Sequence, residues 1–325
     1  MLNSELISWL VGLNHHEPLT VIQADASARK YFRLQNANLI AVDASSSKES
    51  CIPFIKIANL LDEGGLRVPQ IIAADPNRGF LLLTDLGNKS YLEAIKELQI
   101  SNDHQQIQTL MQQALDDLIR LQRIKTPADL AIYDADIIDS ELENCRNWYI
   151  SKHCHFSFNR QQQDIWQHLK KALMNNLTNQ PQVLMHADFM VRNLLLDDDN
   201  RLGIIDFQDA VIGPFAYDLV SLCKDAFISF DADLLGKLVR YYLQHANFLD
   251  ISFHELQRNF DFTAIFRHLR VLGVFARLKY LDNKPHYLID APRFITYITD
   301  SCMRYDLLKD FVILWQQIST QNKAK

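Results

Sequence analysis

Residues 184–210, LMHADFMVRNLLLDDDNRLGIIDFQDA, constrain this chain more than any other stretch. Two apolar runs, Asn193 to Leu196 and Leu202 to Phe207, flank the acidic turn Asp197 to Asn200, which predicts a β-hairpin. A third run, Val183 to His186, predicts a strand leading into the loop ahead of it. On this frame stand His186, Asp188, Asn193 and Asp206, in the order H-x-D-x4-N, hairpin, I-D-F. A hairpin returns its second strand to its starting point, so Asp206 is expected beside the loop that carries Asp188.

Phosphoryl transfer accounts for each residue type. An attacking hydroxyl needs a carboxylate within hydrogen-bond reach to orient it and take its proton, the role expected of Asp188. A nucleoside triphosphate comes with Mg²⁺, which takes oxygen ligands, and Asn193 and Asp206 supply them. His186, at the end of the preceding strand, is expected to brace the loop. The cofactors read from this constellation are ATP and Mg²⁺.

The surrounding chain predicts an α+β fold of two lobes. Residues 4–13 have helical spacing, with Ser4 as a candidate N-cap. Short β-type runs follow at Leu19 to Ile22, Tyr31 to Leu34, Leu39 to Val42, Val68 to Ala73 and Gly79 to Leu83, with one helix, 53–66, among them. Residues 104–124, 161–177, 232–249 and 264–280 have a helical period. The expected division is a small, mostly antiparallel lobe over residues 1–86 and a larger, mostly helical lobe over 87–325.

Composition narrows the function. A net charge of -6 with no Lys/Arg run argues against a nucleic-acid surface. Five cysteines without a CxxC pair argue against a disulfide framework or a zinc site. Neither a signal peptide nor an apolar run of membrane-spanning length stands out, so the expectation is a cytoplasmic protein. Oligomeric state is left open.

The motif resembles the catalytic loop and metal-binding strand of the aminoglycoside phosphotransferase and choline kinase family, whose fold is protein-kinase-like. That family reads H-G-D-x4-N, then I-D-F or I-D-W, then a downstream D-L, here Asp218-Leu219. The resemblance implies that Asp218 is a structural anchor for the catalytic loop. Ala187 stands where the family has Gly, and Met190 where many members have a polar residue, which puts substrate contacts there in doubt. The turn Ala24 to Arg29 lies where a nucleotide-covering loop would be, with the Ser27 hydroxyl as a phosphate donor. Asp43 appears near the place of the usual strand lysine, and Lys30, Arg29, Arg33 and Lys48 are the cations that could substitute. FLLLTDL, residues 80–86, resembles the hinge strand that pairs with adenine, making Thr84 and Leu86 nucleotide contacts along with Ser27, Arg29 and Arg33.

A narrower resemblance joins D-A-S-A-R-x-Y-F-R-L, V-D-A, R-G-F-L-L-L-x-D-L-G, I-D-F-Q-D-A and R-x-L-x-V-L-G-x-F-A-R-L, from Asp25 to about Arg293. These blocks are similar to bacterial anomeric kinases of cell-wall amino sugars, which implies phosphorylation of the C1 hydroxyl of N-acetylmuramate or N-acetylglucosamine. Asp209, next to the metal carboxylate, is then a candidate for sugar hydroxyls. Arg267 and Arg270, on the predicted helix 264–280, are candidates for the lactyl carboxylate of N-acetylmuramate. Residues 220–325 hold 14 Lys plus Arg against 11 Asp plus Glu, which leans away from a polycationic acceptor. The alternatives are another hydroxylated acceptor, such as an aminoglycoside, a choline-like amine or a homoserine-like alcohol, and a pseudokinase that binds nucleotide as a regulator. The absent strand lysine supports the last; the full set of catalytic residues speaks against it.

Overall fold

The computed structural model describes residues 3–22 and 29–323. They form two compact units, one of residues 1–107 with 191–210 and one of 108–190 with 211–325. This division differs from the expected boundary at residue 86.

The first unit is built on a five-stranded antiparallel sheet. It comprises β1 (Leu19–Ile22), β2 (Lys30–Leu34), β3 (Leu39–Asp43), β4 (Ile71–Asp75) and β5 (Phe80–Thr84), in the order β1-β2-β3-β5-β4. The central strands β3 and β5 are almost wholly buried, as their unbroken apolar runs require. Helix α1 (Ser4–Gly12) covers one face through Leu6 and Leu10, which join Phe32, Leu34, Ala41, Phe80 and Leu82 in one core. Its cap is Asn3, which accepts from the Glu5 N–H, and not Ser4, one residue later than the true cap. Helix α2 (Cys51–Glu63) starts two residues earlier than expected and ends at Gly64, with Gly65 in the left-handed region.

What binds 87–107 and 191–210 to this unit is a second sheet. The short strand β6 (Lys89–Ser90) pairs with β8 (Leu194–Leu196), which pairs with β9 (Leu202–Ile204). Helix α3 (Tyr91–Ile100) follows β6 directly, started by a Ser90–Glu93 capping box. The predicted hairpin is therefore present, though its second strand stops at Ile204 and leaves Asp206 in a loop.

The second unit is helical apart from β7 (Gln182–Met185) and β10 (Val211–Pro214), an antiparallel pair; β10 has no clear sequence signal. Its helices are α4 (His104–Arg123, whose first turn belongs to the other unit), α5 (Ala135–Asn144), α6 (Arg160–Asn179), α7 (Ala216–Cys223), α8 (Ala232–His245), α9 (Phe253–Leu281), α10 (Ala291–Cys302) and α11 (Lys309–Lys323). Helix α9 is the axis: 16 of its 29 residues are buried, on all sides between Phe260 and Leu269. Helix α5 runs into nine residues of π-helix, Cys145–His153, a geometry that is uncommon at this length. This segment crosses α9 at Gly273, where a Cβ would come within 2.7 Å of both the Cys145 Cα and its nitrogen. Among the described residues no helix is long and apolar enough to cross a membrane.

The crossing has a direct test. Gly273→Ala forces backbone against backbone, so it should cost about 1–3 kcal/mol, as overpacking does. In urea melts the midpoint should drop with the slope unchanged; an unmoved midpoint would mean that the crossing yields.

Candidate active site

The candidate residues divide between the two units. In the first, the register of β8 and β9 positions the two metal-ligand candidates. Asn193 precedes β8, and its carbonyl accepts the Ile205 N–H, one residue beyond the register pair Leu194–Ile204; the Ile204 N–H itself donates to the Arg67 carbonyl. Asn193 is buried and Asp206 exposed, with Asn193 Nδ2 3.4 Å from Asp206 Oδ2. An amide and a carboxylate thus sit side by side at the hairpin's base, an oxygen-donor pair of the kind Mg²⁺ takes. Asp206 has a φ of 65° although it is not glycine, a strained conformation of the sort found at functional positions. Gln208 donates to Asp206 Oδ1 at 2.9 Å and to Asp209 Oδ2 at 3.4 Å. Asp209 is exposed. Phe207 points inward, its ring 5.0 Å from that of Phe54 on α2.

The nucleotide candidates of this unit have specific neighbours. Ser27 lies outside the described residues. Arg29 is buried, donates to the Ser50 hydroxyl at 3.1 Å and to the Ser50 carbonyl at 3.2 Å, and lies over the Phe54 ring. Arg33 forks onto Asp85 and also donates to the Gly87 carbonyl at 3.1 Å. It therefore braces the segment after β5. Thr84 has both its N–H and its hydroxyl engaged with the Gln70 backbone, while Leu86 is buried beside the hairpin residue Gly203. Asp43, in the place of the strand lysine, accepts from Asn3 and from the Ser45 N–H. Burial works to raise its pKa, but these hydrogen bonds outweigh it and hold the carboxyl below its ordinary value.

In the second unit, β7 ends at Met185 and the chain turns through His186-Ala187-Asp188. The His186 N–H donates to Asp218 Oδ2 at 2.6 Å, and the Asp188 N–H donates to His186 Nδ1 at 3.3 Å. Asp218, on α7, is buried, and burial pushes its pKa up to about 6 against the pull of His186 and Arg267. Asp188 is half-buried. Ala187 has a φ of 72°, which is why glycine is usual in the corresponding motif position. Met190 is buried.

The two arginines of α9 part company. Arg267, expected at a substrate cleft, is instead fully buried; its Nε donates to the Ser221 hydroxyl and its guanidinium lies 5.8 Å from the Tyr217 ring. The segment of α9 that carries it is enclosed on all sides, so the expected exposed face does not exist there. Arg270, one turn on, keeps about a quarter of its side chain exposed and donates Nε to Glu141 Oε1 on α5 at 3.2 Å. Its pKa is held above the ordinary guanidinium value by Tyr217 first, against the opposing pull of burial, then by Tyr133 and the carboxylates Glu141 and Asp188. The sequence offers no motif at Glu141 or Tyr133; the only prior signal for this corner is Arg270 itself.

A β-sheet unit with a hairpin-borne Asn/Asp pair, and a helical unit with an anchored H-x-D loop, define a phosphotransferase. The chain belongs to the phosphotransferase enzyme family (APH), whose model matches residues 18–254. Among curated relatives, the N-acetylmuramate/N-acetylglucosamine kinase of Pseudomonas aeruginosa is 37% identical over 301 residues, 90% of this chain and 87% of the relative. The protein of that name from Neisseria meningitidis serogroup B is 36% identical over 294 residues, 88% of this chain and 86% of the relative. Solved structures share the fold at low identity. The ADP-bound aminoglycoside phosphotransferase APH(2'')-Ib superposes with a TM-score of 0.64 at 14% identity, covering 91% of this chain and 98% of its own. Choline kinase LicA from Streptococcus pneumoniae gives 0.62 at 12%, covering 91% and 98%.

The strained alanine gives a prediction. A left-handed conformation costs a non-glycine residue about 1–2 kcal/mol, and glycine's extra unfolded-state entropy about 0.5–1 kcal/mol. Ala187→Gly should therefore raise stability by the difference, about 0.5–1 kcal/mol. Calorimetry would show a higher Tm; a lower Tm would mean that the loop relaxes out of this conformation.

Proposed function

We propose that the chain is an ATP-dependent kinase that phosphorylates the anomeric C1 hydroxyl of N-acetylmuramate and N-acetylglucosamine, acting in the cytoplasm in cell-wall recycling. The observation that carries this reading is the identity of 36–38% with relatives of that name, over most of both chains. The site supports it. Asp188 is the general base: half-buried, with its loop tied to α7 through His186 and Asp218, it accepts the proton of the attacking hydroxyl. An anomeric hydroxyl is more acidic than an ordinary alcohol, so a carboxylate needs no unusual basicity to take its proton. Asn193 and Asp206 would hold Mg²⁺, which neutralises charge on the phosphate oxygens when bound. The adenine edge would meet the chain at Leu86, because Thr84 is committed to Gln70. Asp209 is exposed and held only weakly, by Gln208 at 3.4 Å, so it would turn toward sugar hydroxyls. Arg270 takes the lactyl carboxylate; Arg267 does not, being buried. Arg29, over Phe54, fixes the start of β2 to α2.

The two carboxylates should separate in kinetics. Asp188→Asn keeps shape and removes the proton acceptor, so kcat should drop by about 10²–10⁴ with little change in nucleotide affinity. Asp206→Ala should lose both turnover and Mg·ATP affinity, measured by isothermal titration. Near-normal turnover in the Asp188 variant, or intact Mg·ATP binding with activity in the Asp206 variant, would remove that residue from its role.

A further inference from the structure

Arg270 is a charged group poised at a corner where polar atoms outnumber their partners. Its guanidinium makes one hydrogen bond among the described residues, through Nε to Glu141. Beside it, the hydroxyls of Tyr133 and Tyr217 are buried and have at most each other as partners. The two rings lie 5.6 Å apart, and Tyr133 is more than nine-tenths buried. Tyr133 is fixed there by its own backbone: its N–H donates to the Ile212 carbonyl on β10 at 2.7 Å. Asp188 is close enough to act on both Arg270 and Tyr217 electrostatically. Buried hydroxyls without partners are costly unless something else satisfies them. Together with a half-committed guanidinium near the H-x-D loop, they describe the receiving end of a polyhydroxylated ligand.

A guanidinium suited to a carboxylate is a liability when the acceptor has none. Enclosed under a neutral sugar, it would be a desolvated charge without a counterion, which is strongly unfavourable. Glu141 removes that problem because it already neutralises Arg270. It also competes with an incoming carboxylate, so it lowers the advantage an anionic sugar would otherwise enjoy. We propose that Glu141 is a specificity-determining residue of the acceptor site: through Arg270 it sets the balance between acid-bearing and neutral amino sugars and lets one pocket take both. This rests on the acceptor reading given above and assigns the dual preference to one ion pair across α5 and α9.

The test compares kcat/KM for N-acetylmuramate and N-acetylglucosamine in the full-length enzyme. In Glu141→Gln the ratio of the two, acid over neutral, should rise about tenfold, roughly one charge-assisted hydrogen bond's worth, and the change should lie in KM. In Arg270→Gln the ratio should fall by at least as much, because Glu141 is then left unpaired against the acid, and in the double variant, where that charge is gone, it should lie between the Arg270→Gln and wild-type values. Glu141→Asp, which keeps the charge, should hold the ratio within about twofold of wild type and guards against a folding defect in the glutamine variant. A purely structural Glu141 would lower both sugars in proportion; an unchanged ratio in Glu141→Gln, with wild type active on both sugars, overturns this inference alone. Wild-type enzyme inert toward both sugars overturns the acceptor reading and this inference with it.

Discussion

The helical unit depends on one buried hydrogen bond, from the His186 N–H to the Asp218 carboxylate. Three features follow from it. Strand β7 has to end at Met185, because the next N–H is aimed away from β10 and into α7. The chain then reverses at Ala187 in a left-handed conformation, and the Asp188 N–H closes the turn on the His186 ring. A carboxylate this deep is costly: burial raises its pKa to about 6, and Arg267 and His186 work against that rise. The sign of the linkage follows. With a folded-state pKa above the ordinary 3.8, the folded protein holds the proton more tightly, so stability from this group declines as pH rises from about 4 to about 6 and is level above that. That cost at neutral pH goes with a fixed H-x-D loop.

Arg267 belongs to this economy and not to substrate binding. A helix buried on all sides should not carry a guanidinium unless something inside needs it. Here the needs are the Ser221 hydroxyl, the face of Tyr217 and the field of Asp218. The neighbouring Arg270 emerges at the rim because its turn of α9 is opposed by α5 with Glu141, a polar partner. Two arginines three residues apart thus have unrelated duties, decided by what packs against each turn.

Much of the site was legible because its elements are local. The H-x-D-x4-N motif, the acidic turn and I-D-F lie within 22 residues, and a hairpin needs only short-range pairing to bring Asn193 and Asp206 together. The fold class was legible for the same reason: β3 and β5 are unbroken apolar runs, and α4 and α6 have a clear helical period. What the sequence hid is set by long-range contact. Arg33 has the look of a phosphate ligand until Asp85, 52 residues away, is placed beside it. Glu141 is one acid among many until α5 meets α9. The first unit extends past residue 86 through β6, which is two residues long, too short for any pattern, yet pairs with β8.

The proposed acceptor atom is the anomeric oxygen of an amino sugar. The most direct measurement is phosphorus NMR of the product formed from ATP and N-acetylmuramate by the wild-type protein. Phosphate coupled to the anomeric proton is the predicted result. Phosphate on C6, or turnover confined to a polycationic aminoglycoside, would contradict it.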